Sequence, residues 1–416
     1  MAPLNNGWTG GQYSLFRAAF GGWLCAHFLA VLFGSAQLFR STGFAADASH
    51  RSLFGLLPSP LWISDSHAMI MAMALTGFVA AVAFAIGIID RAAAVVVCYL
   101  LACLFDGTGQ TASDSLPFLC WVLLAHSMIR AAPHGSWRGR DRADAGAGWR
   151  MPQPIFVASW VALALAYGYD GYLKLGSAAW LDGTALTGLL ESRGAASSVL
   201  HDMLLAFPGW VLAALTWGAL GLELVFAPLA LVKRLRPALW TAMLLVHCAV
   251  IVLVGTPEHG MGLIVLHLFA FDPAMIRPEG TGDPEVLFYD GRCGVCHGAV
   301  RFVISEDPLG RAFRFAAIGS QRYERDVADV ARDALPDSLL VRAADGSLLV
   351  RSAALVHILR GLGGIWRLLA IAATPIPRAV LDYLYDQFAA VRHRLFVRPD
   401  TVCPLVDAEI HARFDA

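Results

Sequence analysis

From Ala68 to Ile89 the chain runs without one charged side chain. An α-helix needs ~20 mostly apolar residues to cross the ~30 Å of hydrocarbon in a bilayer. Further apolar runs stand near 15–39, 92–110, 113–131, 153–173, 207–232, 237–256 and 259–273. Those near 92–110, 113–131 and 259–273 are short, so the sequence predicts seven or eight spans. Composition agrees: 57% of residues are hydrophobic and 15% charged, against roughly half and a quarter in soluble domains. A polar lead (Asn5, Asn6, Gln12) passes into apolar sequence near residue 15. No small-residue cleavage site follows, so this reads as a first membrane helix rather than a removable signal peptide.

Positive charge sets the expected orientation. Arg91, then the stretch from Arg130 to Arg150, then Lys233, Arg234 and Arg236 follow the second, fourth and sixth runs. These are alternate loops, and cationic loops stay in the cytoplasm. The expectation is an integral protein of a bacterial inner membrane with its N-terminus inside. Eight spans put the C-terminal domain in the cytoplasm too; seven put it on the other side. A net charge of -1 excludes nucleic acid as an expected partner and leaves membrane lipid.

Eight cysteines do not make a disulfide-stapled scaffold. Cys25, Cys98, Cys103, Cys120 and Cys248 lie in apolar runs, where Cys serves as a small core residue. Cys293 and Cys296 are the one close pair. Before them, Val286-Leu-Phe-Tyr289 reads as a buried strand and Asp290-Gly291 as a turn. After them, His297 to Ile304 has helical spacing. Strand, turn, Cys-x-x-Cys and helix is the order of a thioredoxin-like redox site. Free N–H groups at the helix head favour a thiolate on the first Cys, and the second lies one turn on. Cys293 is therefore the candidate nucleophile and Cys296 the resolver, with Arg292 adding positive potential. His297 reads first as an exposed, incidental helix histidine, with proton donation or acceptance as the alternative. A metal site is the alternative, with His297 and Cys403 as further ligands. The apolar stretch Gly361–Ala373 is too short to span; a buried helix is the first reading and packing on the membrane surface the alternative.

Residues 286–414 resemble the DCC family of thiol–disulfide oxidoreductases. The resemblance rests on Tyr289-Asp-Gly-Arg-Cys-Gly-Val-Cys296, Val300-Arg-Phe-Val303 and Phe313-Arg-Phe-Ala-Ala317. It continues through Asp337-Ser-Leu-Leu-Val341, Asp345-Gly346, Cys403-Pro404 and Ala412-Arg-Phe414. It implies a thioredoxin-like α/β fold, with the family's Asp-x-x-Cys-x-x-Cys core kept as Asp290, Cys293 and Cys296.

In the apolar region, Asp170 and Lys174 lie four apart on one helical face and can pair; Lys174 snorkelling to the interface at the end of its helix is the alternative. Glu223, His247 and His267 interrupt later runs, and ionisable groups there are functional candidates. Glu223 and His247 satisfying one another as a structural pair is the alternative. Residues 174–206 are too polar for lipid and read as an extracytoplasmic cap. Gly171-Tyr-Leu-Lys-Leu175 with Trp180-Leu-Asp-Gly-Thr-Ala-Leu186 resembles the HTTM family, membrane relatives of vitamin K-dependent γ-carboxylase. Asp114-Ser-Leu116, Pro133-His-Gly-Ser136, Glu223-Leu224, Lys233-Arg-Leu-Arg-Pro237, Leu245-Val-His247 and Phe269-Ala-Phe-Asp-Pro273 are similar to the same family. The resemblance implies that Lys174 acts as a base on a reduced quinone.

The expected architecture is a polytopic α-helical bundle over 1–275, a linker over 276–285, and a small thioredoxin-like α/β domain over 286–416. The expected activity is membrane-bound thiol–disulfide exchange through Cys293 and Cys296. Asp290, Arg292, Asp170, Glu223 and His247 support the site residues Cys293, Cys296 and Lys174. The motifs demand no cofactor; a quinone is the candidate, with a thiol or disulfide protein as partner. The alternatives are a non-catalytic anchor for the redox domain, or a γ-carboxylase-like modifying enzyme.

Overall fold

The structure is a computed structural model. It describes residues 6–38, 58–64, 66–106, 116–140, 142, 144–192, 195–254, 257–280, 282–291, 293–327, 335, 338–395 and 408–415. The chain forms two compact units. One joins residues 1–15, 131–151 and 272–416; the other holds 16–130 and 152–271.

The second unit is helical. Its long elements are α1 (Gly10–Leu38, whose first turns belong to the other unit), α2 (His67–Ile86), α3 (Asp90–Asp106), α4 (Leu116–Ser127) and α5 (Gln153–Lys174). Three short helices follow, α6 (Ala178–Leu181), α7 (Ala185–Leu190) and α8 (Val199–Leu205). Then come α9 (Gly209–Ala230), α10 (Arg236–Val254) and α11 (Pro257–Phe269). A helix stands at each of the eight predicted apolar runs. Among the described residues, four are long and apolar enough to cross a bilayer: Gly10–Phe33 within α1, and α2, α9 and α10. α3, α4 and α11 have 17, 12 and 13 residues, and at ~1.5 Å per residue they fall short of ~30 Å. α5 has the length but carries Gln153, Asp170 and Lys174.

The predicted cap folds onto its own unit. Trp217 Nε1 donates to the Leu181 carbonyl at 3.0 Å, Leu186 N to Thr216 Oγ1 at 3.2 Å, and Ala196 N to the Leu253 carbonyl at 2.7 Å. Cys98, Cys103 and Cys120 are buried as expected of small core residues. Cys25 is half-buried and Cys248 exposed, so the core assignment fails for Cys248: its position on α10 falls on the outward side of the helix.

The first unit is built on a five-stranded sheet of β1 (Glu285–Tyr289), β2 (Phe313–Ala317), β3 (Leu340–Arg342), β4 (Leu348–Val350) and β5 (Phe414–Asp415). Its helices are α12 (Gly294–Glu306), α13 (Gln321–Asp326), α14 (Arg351–Leu362), α15 (Gly364–Ala373), α16 (Arg378–Leu395) and α17 (Ala408–His411). The strand order is β4-β3-β1-β2-β5. β1 runs parallel to β2 (Leu287 opposite Phe315) and antiparallel to β3 (Leu287 opposite Val341). β3 and β4 form a hairpin whose turn is set by Asp345, which accepts Ser347 N at 2.8 Å, and by Gly346 at φ 81°.

Alternation along the strands gives the sheet two apolar faces. Leu287, Tyr289, Phe313, Phe315 and Val341 pack with Val300, Val303 and Ile304 of α12 and with Ile358 of α14. Val286, Phe288, Ala316 and Leu340 face Tyr323 and Val327. Cys293 and Cys296 belong to the first of these cores.

The unit is discontinuous where the sequence reading had contiguous domains, and polar contacts are the reason. The buried Glu306 carboxylate accepts Gly11 N at 2.8 Å, Trp366 Nε1 at 2.5 Å, Ser305 Oγ at 3.1 Å and the Thr9 hydroxyl. Arg301 donates to the carbonyls of Arg140 and Arg142, and Ala145 joins the core that holds the thiols. The expected linker is itself bonded: Glu279 N donates to the Arg360 carbonyl at 3.0 Å, and Ile276 O accepts Gly364 N at 2.9 Å.

Candidate redox site and the polar cluster of the bundle

Cys293 is the N-cap of α12, with extended backbone (φ -106°, ψ 116°), and its thiol makes no capping hydrogen bond. The strand ends at Tyr289, and the turn is closed by Cys293 N donating to the Asp290 carbonyl at 3.2 Å. The first helical bond follows, His297 N to Cys293 O at 3.1 Å. Cys296 lies one turn on, and the two cysteines are not joined in a disulfide. Both are enclosed, at 1% and 2% exposure.

His297 corrects the sequence reading. It is buried, not exposed, and its Nε2 lies 2.9 Å from the Gly291 carbonyl. A carbonyl only accepts, so Nε2 carries the proton. The imidazole thereby ties the turn before Cys293 to the first turn of α12, and its ring meets Tyr289 edge-on. The signal was present: His297 is four residues after Cys293, which places both on one helical face. At the other end of α12, Asp307 accepts Arg311 N, Ala312 N and Phe313 N at 2.9, 3.0 and 3.2 Å and organises the entry to β2. Arg413 donates to Asp307 Oδ2 at 3.2 Å and to the Phe313 carbonyl at 3.0 Å, a physical reason for the Ala412-Arg-Phe414 motif. Arg292 and Cys403 lie outside the described residues. Among the described residues, no group of three or more His, Cys, Asp or Glu is placed to hold a metal ion.

The bundle places Lys174 between two carboxylates, with Asp170 Oδ2 at 2.8 Å and Glu223 Oε1 at 2.5 Å. Its ammonium also lies 4.5 Å over the Trp180 ring. Glu223 is buried and its Oε2 has no hydrogen-bond partner. The alternative of a Glu223–His247 pair is overturned, because α5 supplies a cation to Glu223 from 49 residues away. His247 instead bonds Tyr167: His247 Nε2 and His267 Nδ1 each lie 3.0 Å from the Tyr167 hydroxyl. His267 Nε2 reaches the Trp240 carbonyl at 2.5 Å, and Trp240 Nε1 returns a bond to His267 O at 2.8 Å. The sequence reading missed Tyr167, although Tyr167, Gly171 and Lys174 share one face of α5 at helical spacing. It also missed a second polar node, where Asp90 Oδ2 stands 3.9 Å from Arg17 and 3.4 Å from His126.

A dithiol at the head of the helix that follows the first strand defines a site of the thiol–disulfide exchange class. The comparisons with known proteins agree with that class. A model described as DCC1-like thiol-disulfide oxidoreductase matches residues 287–398. The uncharacterized protein YuxK of Bacillus subtilis (strain 168) is 32% identical over 134 residues, covering 31% of this chain and 93% of that protein. A chloroplastic DCC family protein of Arabidopsis thaliana is 28% identical over 116 residues, covering 28% of this chain and 67% of that protein. The chain belongs, through its C-terminal domain, to the DCC1-like thiol-disulfide oxidoreductase family. No solved structure matches it.

Proposed function

We propose that this protein is a membrane-anchored thiol–disulfide oxidoreductase with Cys293 as nucleophile and Cys296 as resolving thiol. The observation that carries the reading is Cys293 at the N-cap of α12 inside the family-matched region. The β1-α12-β2 unit, with β3 antiparallel to β1 and β4 beyond it, has the strand order and senses of a thioredoxin-like core, which supports the same chemistry. The Cys293 thiolate attacks a substrate disulfide, forming one S–S bond and releasing one substrate thiolate. Cys296 then attacks Cys293, releases the second substrate thiol and leaves the Cys293–Cys296 disulfide. Two electrons pass from the dithiol to the substrate. A thiol reductant restores the dithiol; run in reverse, a disulfide or quinone withdraws the electrons. Asp290 and His297 position the turn.

The membrane part of the reading rests on four candidate spans whose surfaces keep Leu75, Val79, Leu215 and Leu245 exposed. Apolar surface of that extent suits lipid. The specific observation favouring a second role is the Asp170–Lys174–Glu223 cluster with Tyr167, His247 and His267, which suits a quinone-like or lipidic substrate in the bundle. Two carboxylates engage the Lys174 ammonium, so a carboxylase-like base role for Lys174 requires that pairing to break first.

The test is disulfide exchange by the reduced full chain in detergent, followed by thiol labelling. Cys293→Ser lowers the rate at least about a hundredfold, and Cys296→Ser traps a mixed disulfide on Cys293. Unchanged exchange by Cys293→Ser overturns the assignment. Lys174→Ala tests the second role separately: if quinone-dependent oxidation of the dithiol persists unchanged, the bundle serves as an anchor.

A further inference from the structure

Helix α16 bonds the sheet domain through polar side chains and leaves an apolar stripe outward. Asp382 accepts Ser352 N at 3.3 Å and Ser352 Oγ at 2.5 Å, and Asp386 pairs with Arg351 at 3.3 Å. The Tyr385 hydroxyl accepts Leu339 N at 3.3 Å. Its apolar side chains point away from the fold: Val380, Tyr383, Leu384, Phe388 and Val391 are between 42% and 62% exposed. Steps of three and four residues put them on one stripe. α15, joined to α16 through a bend of 116°, also leaves Leu368, Leu369 and Ile371 exposed. A helix in water turns the other way, polar face outward, and contiguous apolar patches of this kind mark contact surfaces. The sequence reading of α15 as a buried helix is corrected by the same exposures.

The unit itself indicates what covers the stripe. Ile365 N donates to Gln12 Oε1 at 2.9 Å, and Trp366 Nε1 shares the Glu306 carboxylate with Gly11 N. Gly11 and Gln12 lie at the start of Gly10–Phe33, one of the four candidate spans. The head of α15 is thus bonded to the first turn of a helix with the dimensions of a membrane crossing.

We propose that α15 and α16 lie in the membrane interface with Leu368, Ile371, Val380, Leu384 and Phe388 turned into the acyl boundary. This rests on the membrane reading above and adds a second attachment to it. Tyr383 on the stripe fits, since an aromatic ring with a polar tip suits the headgroup level. The dithiol domain is then held flat against the bilayer rather than hung from it, and its partners are reached at the lipid surface.

The experiment uses the full chain in nanodiscs of phosphatidylcholine and phosphatidylglycerol. An environment-sensitive fluorescent amino acid replaces Leu384 or Phe388 in turn, and a share of the lipid carries a nitroxide high on its acyl chain. Val79 on α2 serves as the span control and Asp345 in the β3–β4 turn as the water control. The expected result is blue-shifted emission at both stripe positions that the nitroxide lowers at least about twofold, with none at Asp345. Emission at Leu384 and Phe388 matching that at Asp345 overturns the proposal while quenching at Val79 upholds the membrane reading. Loss of quenching at Val79 as well overturns both. Shielded but unquenched emission at the stripe, with two chains per disc, assigns the face to a second copy and overturns it too.

Discussion

Cys293 and Cys296 sit beside β1 and α12, which neighbour them in the chain, within a core of apolar side chains. Lys174 takes its buried partner from a distant helix, with Glu223 49 residues away, and Tyr167 meets His267 across 100. A thiol makes only weak hydrogen bonds, so burial leaves it little to satisfy. The Lys174 cluster holds formal charges, which tolerate burial only when paired. The dithiol is therefore poised by backbone geometry, and the bundle cluster by side-chain neutralisation.

The largest stability effect should come from breaking that neutralisation. Glu223→Ala leaves the Lys174 ammonium, 18% exposed, without its buried partner and should cost about 3 kcal/mol, read as a fall in melting temperature of the detergent-purified chain. Asp170→Ala removes a carboxylate that is 52% exposed and should cost under about 1 kcal/mol. Equal losses for the two would break the distinction between the carboxylates. Next comes His297→Ala, which strands the Gly291 carbonyl and opens a gap beside Tyr289, at about 2 kcal/mol. It should also raise the alkylation rate of Cys293, as a variant that only lowered global stability without loosening the turn would not. Tyr167→Phe removes one hydroxyl from two imidazoles and should cost about 1 kcal/mol, with no change in the alkylation of Cys293 if the two sites are independent.

The smallest effect is acid dependence in the 131–151 segment. Hydrogen bonds from the Arg142 guanidinium, at 2.9 and 2.6 Å, hold the Asp144 carboxyl below its ordinary value. A depressed carboxyl contributes stability that is full above its unfolded value of about 3.9 and is lost as pH falls through the lower folded value. Arg142→Met should shrink this acid-linked loss, leaving the part held by Gly146 N at 3.1 Å, seen as melting curves at pH 5 and pH 3 that move closer than in the parent chain.

Legibility in the sequence followed the same divide. Strand, turn, dithiol and helix are contiguous, so their order could be read directly, and the topology added only which strands neighbour β1. The Asp170–Lys174 pair was legible because helical spacing brings residues four apart together. Its third member was not, because nothing along the chain tells Glu223 whether α5 or α10 will present the nearer partner. Tyr167 hid as an ordinary aromatic in an apolar run. The outward face of α16 was equally hidden: periodicity shows that a stripe exists, while Ser352, Arg351 and Leu339 decide which way it turns.

The Glu306 carboxylate has a practical consequence for anyone handling this protein. It closes the far end of the helix that begins at Cys293, and two of its four donors, Thr9 and Gly11, come from the first dozen residues. Trimming the chain to Tyr13, or splinting a rigid fusion onto Thr9, strips donors from a carboxylate that is 6% exposed. A redox assay on such a trimmed protein would report the damage to that anchor as though it belonged to the thiols. Tags on this chain are better placed away from its first helix.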